Sequence, residues 1–288
     1  MKISCTPISF SSMFNKKEIT LEKFIEYCAE QGLDAVDLMD PQYYPWQWQD
    51  FETQKKTAAK LLEKAGLKLA AFACGNQFTL QDDAEFNAHV EKVKKAIQTA
   101  ADFGAPLIRI FGGHHPNPGA GGKMPHAAAL ERVLQGIDKC LPCAEKYKVI
   151  LALENHGCMP GHSYEIEKII KKFVSPFLKS TFDCANFIAN NMDETEDTLR
   201  AYERLKRFVS HVHFKDFAPA PADSGKRVTA CVAGKGIVPL RQFAALLEDD
   251  AYPGYCSLEY EAAVPAMEGV PQSFTYMKEL RKIHAFLK

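Results

Sequence analysis

Between Thr20 and Phe111 the chain repeats one pattern three times: apolar residues at helical spacing, then a glycine, then a short apolar run. Leu21, Phe24, Ile25 and Cys28 fall on one face of a helix that Thr20 can cap, and that helix stops before Gly32 and the run Asp34 to Met39. Phe51 to Ala65 stops at Gly66 before Leu67 to Cys74, and Ala84 to Phe103 stops at Gly104 before Leu107 to Phe111. Each glycine is placed to take the left-handed conformation that ends a helix. Strand-like centres at Ile3, Val36, Leu69, Ile108, Ile150, Thr181, Val212 and Ser257 carry the alternation to eight strands and eight helices. Successive βα units pair in parallel through right-handed crossovers. Eight of them in 288 residues predict one α/β domain over residues 1–288, a (β/α)8 TIM barrel rather than an open doubly wound sheet. The glycine- and proline-rich segments Gly112 to Pro125 and Phe217 to Pro239 follow strands, where a barrel carries its functional loops.

Composition narrows the function classes. Apolar residues make up 47% of the chain and charged residues 25%, ample for a packed core. Thirty-five basic against 36 acidic side chains leave no electrostatic footprint for nucleic acid. No apolar run approaches the roughly 18 residues of a membrane span, so no membrane partner is expected. The N-terminus has no apolar leader and no small-residue cleavage site, which reads as cytoplasmic. Nine scattered cysteines form no disulfide framework and are expected to be reduced. Cys140 and Cys143 form one C-x-x-C, but within a helical pattern and without a second pair, so packing is the favoured role.

Candidate chemistry sits at four strand ends. Glu154 closes strand five, Asp183 strand six and Glu259 strand eight, and His213 lies at the end of strand seven. The residues just before them, Leu153, Phe182, Val212 and Leu258, are all apolar. Because alternate strand residues face opposite ways, those four point at the helices and the polar four point inward together. Three carboxylates converging on one pocket repel one another unless protonated or bridged by a cation. Three oxygen ligands and one imidazole suit a single Mn²⁺, Mg²⁺, Co²⁺ or Zn²⁺ ion. The competing reading makes each residue a helix cap or a salt-bridge partner at the barrel rim.

The segments Leu153-Glu154-Asn155-His156-Gly157, Phe182-Asp183-Cys184-Ala185-Asn186, His211-Val212-His213-Phe214-Lys215-Asp216, Gly234-Lys235-Gly236 and Ser257-Leu258-Glu259-Tyr260-Glu261 resemble the sugar phosphate isomerase/epimerase superfamily, the xylose isomerase-like TIM barrels. The resemblance spans essentially the whole chain. It implies a divalent metal held by Glu154, Asp183, His213 and Glu259, with Glu154 and Glu259 also moving protons. It further implies a sugar or polyol substrate isomerised or epimerised through an enediolate. A metal-dependent dehydratase or lyase of the inosose dehydratase type, acting on a β-hydroxy ketone, is the alternative. The ketose 3-epimerases of the group carry a histidine three residues after the strand-six aspartate, where this chain has Asn186, and an arginine where it has Pro219. A free ketose is therefore a weaker expectation than membership alone implies. A phosphodiesterase like endonuclease IV would need more histidines and a basic track.

Other polar residues are candidates for substrate contact: His114, His156, Asn186, Lys215 and Trp46. His114 follows strand four beside His115, and of two adjacent histidines one at most faces the pocket. His156 contacts substrate or supports a ligand carboxylate. Lys215 neutralises an oxyanion, or only pairs with Asp216 or Glu261. Trp46, with Trp48, Tyr43 and Tyr44, forms an apolar wall against a sugar ring, a satellite core or a homo-oligomer contact. His211 shares the inward face of His213 one layer deeper, which favours a hydrogen-bonded core role.

Overall fold

The computed structural model describes residues 1–113, 124–157, 159–189 and 195–286. Eight parallel strands, β1 (Lys2–Cys5), β2 (Ala35–Met39), β3 (Lys68–Ala73), β4 (Leu107–Ile110), β5 (Ile150–Glu154), β6 (Leu178–Asp183), β7 (Val209–Phe214) and, after a hairpin of β8 (Asp216–Pro219) and β9 (Val228–Cys231), β10 (Tyr255–Leu258), form one sheet. The hydrogen-bonded order is β1-β10-β7-β6-β5-β4-β3-β2. The two ends meet at Asp34, whose N–H donates to the Ile3 carbonyl (2.9 Å) and whose carboxylate accepts from the Ile3 N–H (2.7 Å). The sheet is thus a nearly closed barrel with helices between its strands, a single (β/α)8 architecture.

Local chemistry sets the repeats where the pattern predicts them. Thr20 accepts from the Lys23 N–H to cap the helix Leu21–Glu30, whose buried face is Leu21, Phe24, Ile25 and Cys28. The helix Phe51–Ala65 ends at Gly66 with φ +70°, in the region a side chain disfavours. Cys140 and Cys143 lie in the helix His126–Tyr147, donating weakly to the carbonyls of Val90 and Lys94 as packing residues.

Strand parity divides the core in two. Leu153, Phe182, Val212 and Leu258 are buried against the helices, and Phe182 sits 5.2 Å from the rings of both Phe187 and Phe243. On the inner face Ala71, Leu107 and Ala152 form a small apolar layer. Beside it His211 meets Asp37 (Nε2 to Oδ2, 3.1 Å), and the same Asp37 oxygen accepts from Ser257 Oγ at 2.8 Å. His211 therefore has the core role expected for it.

One predicted loop contains regular structure. Part of Phe217 to Pro239 is the antiparallel pair β8 and β9, joined to the barrel through Asp216. The Asp216 carboxylate accepts N–H bonds from Phe217, Gly234 and Gly236 at 2.9 Å and from Val238 at 3.2 Å. A Cβ on Gly236 would lie 2.2 Å from Asp216 Oδ1, so glycine is what lets the backbone reach the carboxylate. The Gly234-Lys235-Gly236 motif thereby anchors the chain immediately after Lys215.

Candidate metal centre

Glu154, Asp183, His213 and Glu259 converge as strand parity predicts. Each offers a ligand atom, and these atoms lie within 4.8 Å of one another. His213 Nδ1 is 3.2 Å from Glu154 Oε1 and 3.6 Å from Glu259 Oε2. Glu154 and Asp183 are fully buried, whereas Glu259 is 7% exposed. That difference matters because Glu259 borders a cavity of about 350 Å³ and Glu154 lies behind it.

Neighbouring groups fix which oxygens face the centre. Asp183 Oδ1 accepts from the N–H groups of Ala185 (2.8 Å) and Asn186 (2.9 Å), in the turn leaving β6, so Oδ2 is directed at the quartet. Asn155 pairs twice with the Asp183 backbone, accepting its N–H and donating to its carbonyl, both at 2.8 Å. This asparagine extends the β5–β6 ladder by one rung beyond the strand end. Asn76 does the same for Phe111 after β3 and β4, at 2.7 and 2.8 Å.

The residues present fit a hard divalent cation. Three carboxylates and one imidazole form the donor set, with no thiolate. Glu154 Oε2 and Asp183 Oδ2 are buried without a hydrogen bond among the described residues, although each has a cationic neighbour, Arg109 and Lys215 respectively. A second buried group, Asp37 and His211 with His213, also brings three ligand residues together, but His211 and Asp37 are already hydrogen-bonded to each other.

Electrostatics follow from this packing. Burial alone would raise the Glu154 and Glu259 carboxyls. For Glu154 the charges of His213 and Arg109 outweigh burial and hold it well below the usual range. For Glu259 those of Lys215 and His213 hold it at about 2. Asp183 is pushed up to about 7, first by burial, with Glu259 and Glu154 adding to the shift and Lys215 opposing it. Burial would lower His213, but Glu259 and Glu154 raise it to about 9. His156, mainly through burial, is lowered to about 4 and is neutral near pH 7.

These shifts have a signed consequence for stability. A raised His213 stabilises the fold fully below the ordinary histidine value and loses that contribution as pH climbs through about 9. A raised Asp183 favours the fold while protonated and loses that advantage as pH rises toward about 7. Stability therefore falls as pH rises, through Asp183 up to about pH 7 and through His213 up to about pH 9, and a cation needs both groups deprotonated. The rise in Tm on adding Mn²⁺ is expected to be larger at about pH 8 than at about pH 6, measured by thermal melts at the two values. A rise that shrinks with pH would contradict this assignment.

The remaining candidates are placed as follows. His156 lines the cavity with its ring 4.2 Å from that of Phe111. Asn186 points at Glu154, with Nδ2 3.4 Å from Oε1, and is not among the residues lining the cavity. Lys215 does far more than pair with a neighbour: Nζ is 2.6 Å from Glu259 Oε2, 2.7 Å from Glu261 Oε2 and 3.2 Å from Asp183 Oδ2. Trp46 is also absent from the lining, packed between Phe14 (5.6 Å) and Tyr44 (5.8 Å); Tyr43 and Tyr44 form the aromatic wall instead. Trp48 packs against Phe51 and Phe103, at 5.0 and 5.8 Å, and donates its indole N–H to the Met39 carbonyl at 2.8 Å. His114 and His115 lie outside the described residues.

The pattern along the chain does not single out Arg109. It is 2% exposed in β4, with Nε 3.2 Å from Glu154 Oε2 and Cζ 3.9 Å above the Phe111 ring. Its other nitrogens donate to the Cys74 carbonyl (3.2 Å) and the Tyr44 hydroxyl (3.3 Å). A lone charged residue inside the apolar run Leu107 to Phe111 is the one signal that could have found it.

Comparison with known proteins gives the same architecture. Residues 25–280 match the family described as xylose isomerase-like TIM barrel. No curated protein sequence matches the chain. Among solved structures, the chain is similar to D-psicose 3-epimerase with D-tagatose from Clostridium cellulolyticum H10, at 14% identity, with 99% of each chain covered and TM-score 0.74. It is similar to the probable 3-DHS dehydratase AsbF of Bacillus anthracis, at 17% identity, covering 96% of this chain and 99% of that one, TM-score 0.73. It also resembles the IOLI protein with a zinc atom, at 14% identity, 99% and 98% coverage and TM-score 0.76. At these identities the likeness is one of fold.

Proposed function

This chain belongs to the xylose isomerase-like TIM barrel family, and from that premise we propose that it is a divalent-metal-dependent isomerase or epimerase of a sugar or polyol. One observation carries the proposal: Glu154, Asp183, His213 and Glu259 bring their ligand atoms within 4.8 Å of one another, and through Glu259 the group borders a cavity large enough for a small polyol. The site takes one divalent ion, Mn²⁺, Mg²⁺, Co²⁺ or Zn²⁺, held by these four side chains. Such an ion supplies Lewis acidity, which stabilises the charge of an enediolate.

The protein's own groups supply the rest. Glu259, ionised and bordering the cavity, removes the proton next to the substrate carbonyl. Glu154 is rooted in β5, three strands from β10 in the barrel order; held ionised at rest by His213 and Arg109, it takes up a solvent proton and returns it on the opposite side, while Glu259 gives its own proton back to solvent. Return to the same carbon gives epimerisation, and return to its neighbour gives isomerisation. Neutral His156, lining the cavity, is placed to bind a hydroxyl. The wall of Tyr43, Tyr44 and Phe111 covers the apolar face of the carbon chain.

A second reading uses the same site. The Lys215 ammonium and Glu261 both line the cavity, 2.7 Å apart, where an acid can protonate a departing β-hydroxyl. That would make the protein a dehydratase of a β-hydroxy ketone. Proton abstraction comes first in every case, so one experiment tests the shared step. Incubated in D₂O with Mn²⁺ and a panel of ketoses and keto-polyols, the enzyme is expected to place solvent deuterium on the α-carbon of its substrate. A substrate converted with no deuterium at any carbon would point to hydride transfer and overturn the proposal.

A further inference from the structure

Lys215 stands in a position that the proton chemistry alone does not explain. Its ammonium touches Asp183 Oδ2 and Glu259 Oε2, two of the four oxygen and nitrogen donors, at 3.2 and 2.6 Å. Asp183 Oδ2 has no hydrogen bond among the described residues, so this ammonium is what offsets its charge. A third carboxylate, Glu261, meets the same Nζ at 2.7 Å but lies outside the quartet, with a side chain 47% exposed. The backbone on either side is pinned: Phe214 pairs within the sheet, and Asp216 accepts four backbone N–H bonds. Only the four-carbon stem of Lys215 is left to move.

We infer that Lys215 is a resident counter-ion of the quartet, which holds Asp183 and Glu259 together without a metal and withdraws onto Glu261 when a divalent cation binds. This rests on the reading that the quartet takes such a cation. The charges require an exchange of this kind. With His213 deprotonated as a ligand, Glu154, Asp183 and Glu259 still face Arg109 and Lys215, and two further positive charges at the same oxygens repel an ammonium in contact with them. Glu261 keeps the displaced ammonium paired, so the buried lysine is not stranded. The apparent affinity for the cation is then set by competition with Lys215, and Glu261 biases that competition toward the metal.

Calorimetric titration of Mn²⁺ into metal-free wild type, Lys215→Met and Glu261→Gln, all at one pH, tests the exchange. Lys215→Met is expected to bind Mn²⁺ about tenfold tighter or more, while melting lower than wild type without metal. Glu261→Gln is expected to bind it about tenfold weaker, with a metal-free melting temperature near that of wild type. If wild type binds Mn²⁺ but folded Lys215→Met binds it equally or more weakly, the exchange is wrong and the metal reading stands. Unchanged affinity in Glu261→Gln would also overturn it, and that variant decides the matter should Lys215→Met not fold. If neither wild type nor either variant binds Mn²⁺, the metal reading falls and takes this inference with it.

Discussion

Replacing Glu259 by glutamine is expected to lower solvent-deuterium exchange into substrate by about a hundredfold or more, the scale of general-base loss. The amide keeps the shape and one oxygen donor but has no basic carboxylate. Glu259 borders the cavity and is held ionised by Lys215 and His213 in spite of burial, so it is a charged base near neutral pH. Glu154→Gln is expected to cause a loss of similar size by a different route. That amide would place an N–H₂ group or a neutral oxygen against Arg109 Nε and His213 Nδ1, which now meet a carboxylate. Mass-spectrometric exchange rates for the two variants, at saturating Mn²⁺, are the check. Exchange within a factor of two or so of wild type in Glu259→Gln would remove Glu259 from the proton path.

The largest expected effect on stability comes from Arg109. Substituting it with methionine is expected to cost about 3–5 kcal/mol, because it leaves Glu154 buried and ionised without its guanidinium. The same change strands the Cys74 carbonyl and the Tyr44 hydroxyl and removes the cation above the Phe111 ring. Denaturant unfolding of the metal-free protein measures the loss. The double variant Arg109→Met, Glu154→Met is expected to recover much of it, since an apolar pair carries no uncompensated charge. A single variant within about 0.5 kcal/mol of wild type would mean that Glu154 is neutralised some other way.

What could be read ahead of the structure, and what could not, divides along physical lines. The quartet was legible because parity on four strands is local: Leu153, Phe182, Val212 and Leu258 each declare which way the next residue faces. The helix ends at Gly32, Gly66 and Gly104 were legible for the same reason, since a left-handed residue is a one-position requirement. Arg109 was not, because a single charge in a strand reads as surface until its partners are known, and these lie at Cys74, Tyr44 and Glu154, far along the chain. The β8–β9 hairpin was hidden by Pro219 and by a glycine-rich return that anchors on Asp216. Among Tyr43, Tyr44, Trp46 and Trp48, composition marks an aromatic wall but not its inward members. The cavity takes the two tyrosines, and the tryptophans pack behind.

The proposed function depends first on one divalent-metal site built by four side chains on β5, β6, β7 and β10. The measurement closest to it is the stoichiometry of Mn²⁺ bound to purified, metal-stripped and reconstituted protein, set beside that of Asp183→Ala. One tightly held ion per chain is expected in the wild type and none in the variant, with circular dichroism showing both folded. A folded wild type that retains well under one ion per chain, or an Asp183→Ala variant that retains the full complement, would contradict it.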